Sequence, residues 1–387
     1  MKVPIAMPYL GEEEGVAVAE VLRSGWVTQG PRVAAFERAF ADYTGAPHAA
    51  AVSSCTTALH LCLLAAGVQP GDEVVTVSHS YIATVNAVRY CGALPVFVDI
   101  QGGTFNMDPA LLEAAITPKT RTVLCVHQLG MPCDVAGILA VTRPLGLPLI
   151  EDAACAAGSE IKWDGAWERV GRPHGDAACF SFHPRKVITT GDGGMITTRH
   201  EAWDRTFRLL RQHAMSVPDT VRHGASRVIR EAYPRLGYNY RLTDIQAAVG
   251  VVQMERLPAL VARRRELAAR YEQLLAGIPG LGLPEQPAWA RSNFQSYCVR
   301  LPHGVEQDDV MQAMLDREVA TRTGVMCAHR EPAYRDHEPC RYDSLPQSEA
   351  AQDRCLMLPL FHQISDEQQL WVAESLGEVI TSTSTST

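Results

Sequence analysis

Between residues 50 and 200 short apolar runs alternate with helical stretches, and this rhythm constrains the fold more than any other feature of the chain. The runs Glu73–Ser78, Pro95–Ile100, Arg121–His127, Leu147–Glu151 and Ala177–His183 are rich in Val, Ile, Leu and Phe, as strands covered on both faces are. Between them Thr56–Ala66, Ala83–Cys91, Pro109–Ile116 and Asp134–Arg143 read as helices. The expected fold class is α/β, a mainly parallel central sheet wrapped by helices, with ligands at the carboxyl ends of its strands. After about residue 240 the texture changes. Thr243–Leu275 reads as one long helical region interrupted near Pro258, Pro279–Pro287 as a connector, and residues from about 292 onward as a smaller α+β domain. The chain is thus expected to divide into a large domain, 1–255, and a small C-terminal one, 256–387.

Bulk properties exclude several classes of function. A length of 387 residues leaves room for two cores, and 47% hydrophobic with 20% charged residues is ordinary for a globular protein. A formal net charge of −8 opposes general nucleic-acid binding. The eleven cysteines contain no Cys-x-x-Cys pair and read as buried apolar residues in a reducing compartment. Pro4, Pro8 and the acidic run Glu12–Glu14 are unlike a signal peptide. No apolar run approaches the roughly 18 residues a membrane-spanning helix needs, so a cytoplasmic protein is expected. The Thr/Ser tail Thr381–Thr387 has no apolar face and is expected to fray.

Four segments carry chemistry. Lys186 lies in Phe180-Ser181-Phe182-His183-Pro184-Arg185-Lys186, between an apolar run and the turn Gly191–Gly194. A desolvated amine held there can attack a carbonyl, although most lysines are solvated surface charges. Ser53-Ser54-Cys55-Thr56-Thr57 runs small polar residues into a helix. That arrangement is either an anion site suited to a phosphate or an ordinary N-cap. Glu151-Asp152-Ala153-Ala154 closes a strand. Its acid could hold a pyridine nitrogen protonated, cap a helix, or bind magnesium or a ribose, and no phosphate-loop or GxGxxG fingerprint supports the last two. Tyr81 could stack on a flat cofactor or pack in the core. Ser181 and Asn239 could each donate to a phosphate or serve as a turn or strand-end polar group.

Taken together, these segments resemble the DegT/DnrJ/StrS-type sugar aminotransferases, a branch of the fold-type I pyridoxal 5'-phosphate (PLP) transferases. The similarity runs from Gly25-Trp26-Val27-Thr28-Gln29-Gly30-Pro31 to Leu358-Pro359-Leu360, through Gly71-Asp72-Glu73-Val74, Asn106-Met107-Asp108-Pro109 and Asn239-Tyr240-Arg241. The resemblance implies that Lys186 carries the cofactor as an imine and shuttles protons. Asp152 would pair with the pyridinium nitrogen and Tyr81 would stack on the ring. The Ser54–Cys55–Thr56 loop and Ser181, with Asn239 from a partner subunit, would hold the phosphate, which implies a homodimer with shared active sites. Three residues depart from the family pattern. Cys55 replaces a usual Gly or Ala, Thr57 a usual Ala, and Cys155 stands where many members place a Gln or His against the cofactor 3′-oxygen. Relatives that dehydrate or deoxygenate sugars carry His in place of Lys186, so its presence implies transamination.

The implied reaction moves an amino group from L-glutamate or L-glutamine to a keto-sugar, normally nucleotide-linked. Alternatives are the same chemistry on a keto-cyclitol, and a non-catalytic PLP-binding sensory protein on the same fold. Arg322 and His329 fall where family members contact the sugar or the donor carboxylate, and Arg241 is a further substrate candidate. Eight arginines between Arg205 and Arg241 could meet substrate phosphates, or serve surface ion pairs and dimer packing.

Overall fold

The computed structural model describes residues 1–384. Seven strands form the central sheet: β1 (His48–Val52), β2 (Glu73–Val77), β3 (Leu94–Val98), β4 (Thr120–Val126), β5 (Leu149–Asp152), β6 (Ala177–Ser181) and β7 (Gly194–Thr198). Their order is β1-β7-β6-β5-β4-β2-β3. Pairings β2–β3, β2–β4, β4–β5 and β5–β6 are parallel, whereas β7 runs antiparallel to both β1 and β6. The five anticipated strands are present with boundaries moved by one or two residues. β1 and β7 were not anticipated from the apolar rhythm. His48-Ala-Ala-Ala-Val is too poor in branched residues to stand out as a strand, and Gly194-Met-Ile-Thr-Thr opens on the glycine that closes the turn Gly191–Gly194.

Alternation of side chains across each strand fills both faces. Val74, Leu124, Ile150, Cys179 and Ile196 pack with Leu59 and Leu63 of helix α1 (Cys55–Ala65) on one side. Val75, Val77, Val123 and Cys125 pack with Ile138 of helix α2 (Val135–Thr142) on the other. Phe180 and Phe182 join Phe36 and Phe40 in a third cluster. Burying one such side chain contributes about 1.5–3 kcal/mol, and this packing fixes where the strand ends stand.

Helix α3 (Asp244–Leu275) is continuous, and the anticipated interruption at Pro258 is absent. Proline there removes one backbone donor, but Leu257, Leu260 and Val261 are buried in the core cluster around Phe36 and Phe182, and hold the helix on either side. Further along, Leu267, Tyr271 and Leu275 belong to a separate core with Val299, Leu356 and Leu376. That second core covers an antiparallel sheet, β8 (Tyr297–Arg300), β9 (Arg322–Thr323) and β10 (Cys355–Leu358), in the order β8-β10-β9. A helix extends over Asp366–Ser384, so the tail as far as Ser384 is helical and not frayed. Thr381 and Ser382 hydroxyls bond back to Gly377 O and Val379 O. Residues 385–387 lie outside the described part. No helix among the described residues is long and apolar enough to cross a membrane.

Candidate active site

The carboxyl ends of β2, β5 and β6 meet the start of α1 above the sheet. Ser54 caps that helix, its Oγ accepting from Thr57 N at 3.2 Å. The N–H groups of Cys55 and Thr56 have no acceptor among the described residues, so two oriented donors face outward at a positive helix end. β7 approaches the loop closely. A Cβ on Gly194 would stand 2.5 Å from both Ser54 C and Ser54 O, so only glycine fits there. Ser181 ends β6 directly opposite Gly194.

Asp152 ends β5 and is 5% exposed. Its Oδ2 accepts from Thr84 Oγ1 at 2.7 Å, and its Oδ1 accepts from Ala154 N at 3.1 Å. Since the carboxylate can only accept, Thr84 donates to it, and Ser80 Oγ, 2.7 Å away, donates to Thr84. Burial pushes the Asp152 carboxyl up from the ordinary range, and the Thr84 and Ala154 hydrogen bonds, with Lys186 and His127, counter it. Glu151 points the other way, into His127 Nε2 at 2.9 Å and Gly175 N at 3.0 Å.

Lys186 sits in a loop closed by Phe182 N to Gly193 O at 2.9 Å and Thr190 N to Phe182 O at 3.0 Å. Phe182, Val187 and Ile188 anchor the loop in the core. The Lys186 amine donates to Cys155 Sγ at 3.1 Å. Burial pulls this amine down, but Cys155, Cys55 and Asp152 outweigh burial and leave it raised. Cys55 lies beneath, its Sγ 3.4 Å from Cys179 O and 3.9 Å from Asp152 Oδ1. Burial, then the Asp152 charge, pushes that thiol far up, so it stays protonated.

Asn293 and Gln295 brace the wall, and nothing in their local sequence marks them. Asn293 Nδ2 donates to Cys155 O at 2.8 Å, its Oδ1 accepts from Gln295 N at 2.8 Å, and Gln295 Nε2 donates to Arg185 O at 2.5 Å. Thr84 was likewise missed, three residues past Tyr81 on a helical turn. Tyr81 stands 67% exposed beside the site.

The remaining anticipated residues divide. Tyr240 O accepts from Ser53 N at 2.8 Å, which ties the Asn239 segment to the phosphate-type loop, while the Asn239 side chain has no hydrogen bond among the described residues. Arg241 has none either. His329 is 5% exposed, with Nδ1 2.6 Å from Ser78 Oγ and Nε2 3.1 Å from Glu349 Oε1. Both of its ring nitrogens are therefore engaged inside the protein. In the arginine-rich stretch Arg208 and Arg211 bind Glu37 at 2.7 and 2.6 Å, and Arg205 and Arg222 pair with Glu201 and Glu231. Those four serve ion pairs within the chain.

These groups suit a phosphorylated pyridine aldehyde: two free amides for the phosphate, a buried acid with one oxygen fixed by Thr84, and an amine alongside. Residues 8–377 match the DegT/DnrJ/EryC1/StrS aminotransferase family. The chain belongs to this family. It is similar to the aminotransferase TlmJ from Streptoalloteichus hindustanus, with 34% identity and a TM-score of 0.89 over 99% of this chain and 100% of that one. A putative sugar aminotransferase from Streptococcus pneumoniae, in its PMP form, is 28% identical, with a TM-score of 0.90 over 100% of this chain and 99% of that one. DesI, in the presence of its TDP-sugar product, is 30% identical, with a TM-score of 0.86 over 98% and 93% of the two chains. Membership makes the protein a PLP-dependent aminotransferase on the fold-type I scaffold.

Proposed function

We propose that the enzyme moves an amino group from L-glutamate or L-glutamine to a keto-sugar, nucleotide-linked, in amino-sugar biosynthesis. The observation that carries this reading is the Lys186 amine, held 3.1 Å from Cys155 on the same wall as Asp152. The similarity to DesI, whose structure includes a TDP-sugar product, supports the acceptor class. When bound, PLP supplies the electron sink that makes a substrate C–H bond acidic.

The chain's own residues do the rest. Asp152, its Oδ2 fixed by Thr84, would hold the ring nitrogen protonated. The Cys55 and Thr56 amides would bind the phosphate together with Ser181, with Asn239 of a second copy completing that cradle. Tyr81 would cover the ring. Lys186 Nζ would take the proton from the substrate carbon and return it two atoms away, across the imine nitrogen, and its rigid loop would keep that path short. Arg241 and Arg322 remain substrate contacts in this reading, whereas His329, engaged by Ser78 and Glu349, is left out of it. The division into parts 1–255 and 256–387 stays a proposal; along α3 the change of core falls some residues later, beyond Val261. A homodimer working in the cytosol completes the proposal.

The test is a two-stage reaction. Purified enzyme is exposed to each amino acid while the cofactor absorbance is followed, and the aminated form is then offered keto-sugar nucleotides and keto-cyclitols. Loss of the band with glutamate or glutamine, and its return with a nucleotide keto-sugar, is the expected result. Return with a keto-cyclitol alone, or no amino exchange with any donor, overturns it.

A further inference from the structure

The segment that braces Cys155 and Arg185 has a second face. Phe294, between Asn293 and Gln295, lines a cavity of about 320 Å³ together with Tyr297 of β8 and Ala268 and Glu272 of α3. No residue placed in the cofactor site lines it. Tyr297 is 2% exposed, and its hydroxyl has no hydrogen-bond partner among the described residues. Burial, then the charge of Glu272, pushes that hydroxyl up, so it stays a donor. Glu272 is exposed, and its carboxylate meets neither a cation nor a donor among the described residues. Gln286, also on the lining, uses Oε1 to accept from Ser292 N at 2.9 Å, and its Nε2 has no acceptor among the described residues. The cations of the cavity are engaged. Arg265 donates to Ser292 O at 2.9 Å and pairs with Glu160 at 3.0 Å, while Arg291 lies 3.8 Å over the Trp167 ring with Glu160 3.9 Å away. What is left unmet is one carboxylate, one hydroxyl and one amide N–H, beside two rings with centroids 6.3 Å apart and planes 27° from parallel.

These groups define a ligand by complement. A carboxylate without a counter-charge favours a cation through a charge-assisted hydrogen bond. Aromatic faces take an apolar C–H surface and tolerate an ammonium beside it. A free hydroxyl and a free amide N–H ask for hydroxyl partners. A protonated amino sugar carries all three features, and the cavity is at the small end of the range for ligand pockets, with room for one sugar ring. A neutral sugar leaves Glu272 unmatched, a plain alkylamine leaves Tyr297 and Gln286 unmatched, and a phosphate meets arginines that already have an acid. We propose that this cavity binds an amino sugar, its ammonium on Glu272 and its hydroxyls on Tyr297 and Gln286, and that occupancy favours the braced wall of the cofactor site. The coupling runs through Phe294. Its φ of +49° is one that L-residues rarely adopt, and Arg264 donates to its carbonyl at 3.0 Å to help hold it. The same conformation aims Asn293 at the carbonyls of Cys155 and Ala157, and Gln295 at that of Arg185. A sugar packed on the Phe294 ring adds to what holds it. Amino sugars are the product class of the reading above, so the source of the ligand rests on that reading, whereas the cavity does not.

The experiment is calorimetric titration of the full-length protein, wild type, Glu272→Gln and Tyr297→Phe, with D-glucosamine, D-glucose, N-acetyl-D-glucosamine and n-butylamine. D-Glucosamine is expected to bind wild type about tenfold or more tighter than each of the other three, and Glu272→Gln should erase that preference, roughly the loss of one charged hydrogen bond. Tyr297→Phe should weaken D-glucosamine binding by about threefold or more, with thermal melting to confirm that the variant folds. Coupling is read with pyridoxamine 5'-phosphate, which has no aldehyde to react with the sugar amine. Saturating D-glucosamine should lower its Kd about fivefold or more in wild type and leave it unchanged in Glu272→Gln, and the cofactor should tighten D-glucosamine by the same factor. D-Glucose binding as well as D-glucosamine removes the ammonium from the site and overturns the proposal. So does n-butylamine binding equally well, which removes the sugar, and so does D-glucosamine binding that survives Glu272→Gln, which places it elsewhere. A cofactor Kd that ignores D-glucosamine overturns the coupling. Wild-type enzyme that transfers no amino group to any sugar defeats the aminotransferase reading itself, a result distinct from all of these binding outcomes.

Discussion

Replacing Thr84 with Val removes one hydroxyl from the centre of the site and nothing of comparable size. That hydroxyl donates to Asp152 Oδ2 at 2.7 Å and receives from Ser80 Oγ at 2.7 Å, with all three side chains buried. A hydrogen bond to a charged group contributes about 1.5–3 kcal/mol. Burial already disfavours the Asp152 carboxylate, so the bond is lost where no water replaces it. If that energy is expressed wholly through the ionised carboxylate, PLP affinity or the rate of the donor half-reaction falls about 10- to 150-fold. The assay is equilibrium titration of the cofactor-free protein with PLP, followed by single-turnover reaction with glutamate across pH. Thr84→Ser keeps the donor and should recover most of the loss. Val at wild-type level, or Ser as poor as Val, would refute the reasoning, the second result by transferring the effect to the methyl group.

Three other outcomes follow from contacts already described. Asp152→Asn should abolish transamination yet raise the Tm of the cofactor-free protein near neutral pH. A carboxyl whose folded pKa is raised costs stability above that pKa and costs nothing once protonated, so the gain should shrink on acidification through the folded pKa; thermal melts at several pH values check it. Gly194→Ala places a methyl 2.5 Å from the Ser54 carbonyl and should weaken PLP binding more than it lowers Tm, measured by titration and melting. Glu37→Gln leaves Arg211, 4% exposed, short of its counter-charge, while Arg208 keeps Asp204 at 2.8 Å. A loss of about 3–5 kcal/mol in urea unfolding is expected for such a broken buried pair.

The parallel sheet was legible because its strands carry dense branched residues, and the placing of Lys186, Asp152 and Ser54–Thr56 followed from strand ends and a helix start. β1 and β7 were not legible, since a run of alanines and a segment opening on glycine and methionine take their strand character from pairing with each other and with β6. Pro258 misled for a related reason: local chemistry argues for a break, and packing of Leu257 and Leu260 overrides it. His329 looked available in sequence, and only the fold supplies Ser78 and Glu349 for its two nitrogens. Thr84, Asn293 and Gln295 show no local signal because their roles depend on partners 68, 138 and 110 residues distant.

The bracing of Cys155 and Arg185 by Asn293 and Gln295 also sets a schedule for the newborn chain. Lys186, Asp152 and the phosphate cradle all leave the ribosome well before residue 293, but the wall that fixes the amine is incomplete until that segment has emerged and docked. In the proposed reading, cofactor capture is expected to follow near-complete synthesis. A fragment ending before Asn293 can form much of the sheet and still lack a firm seat for PLP.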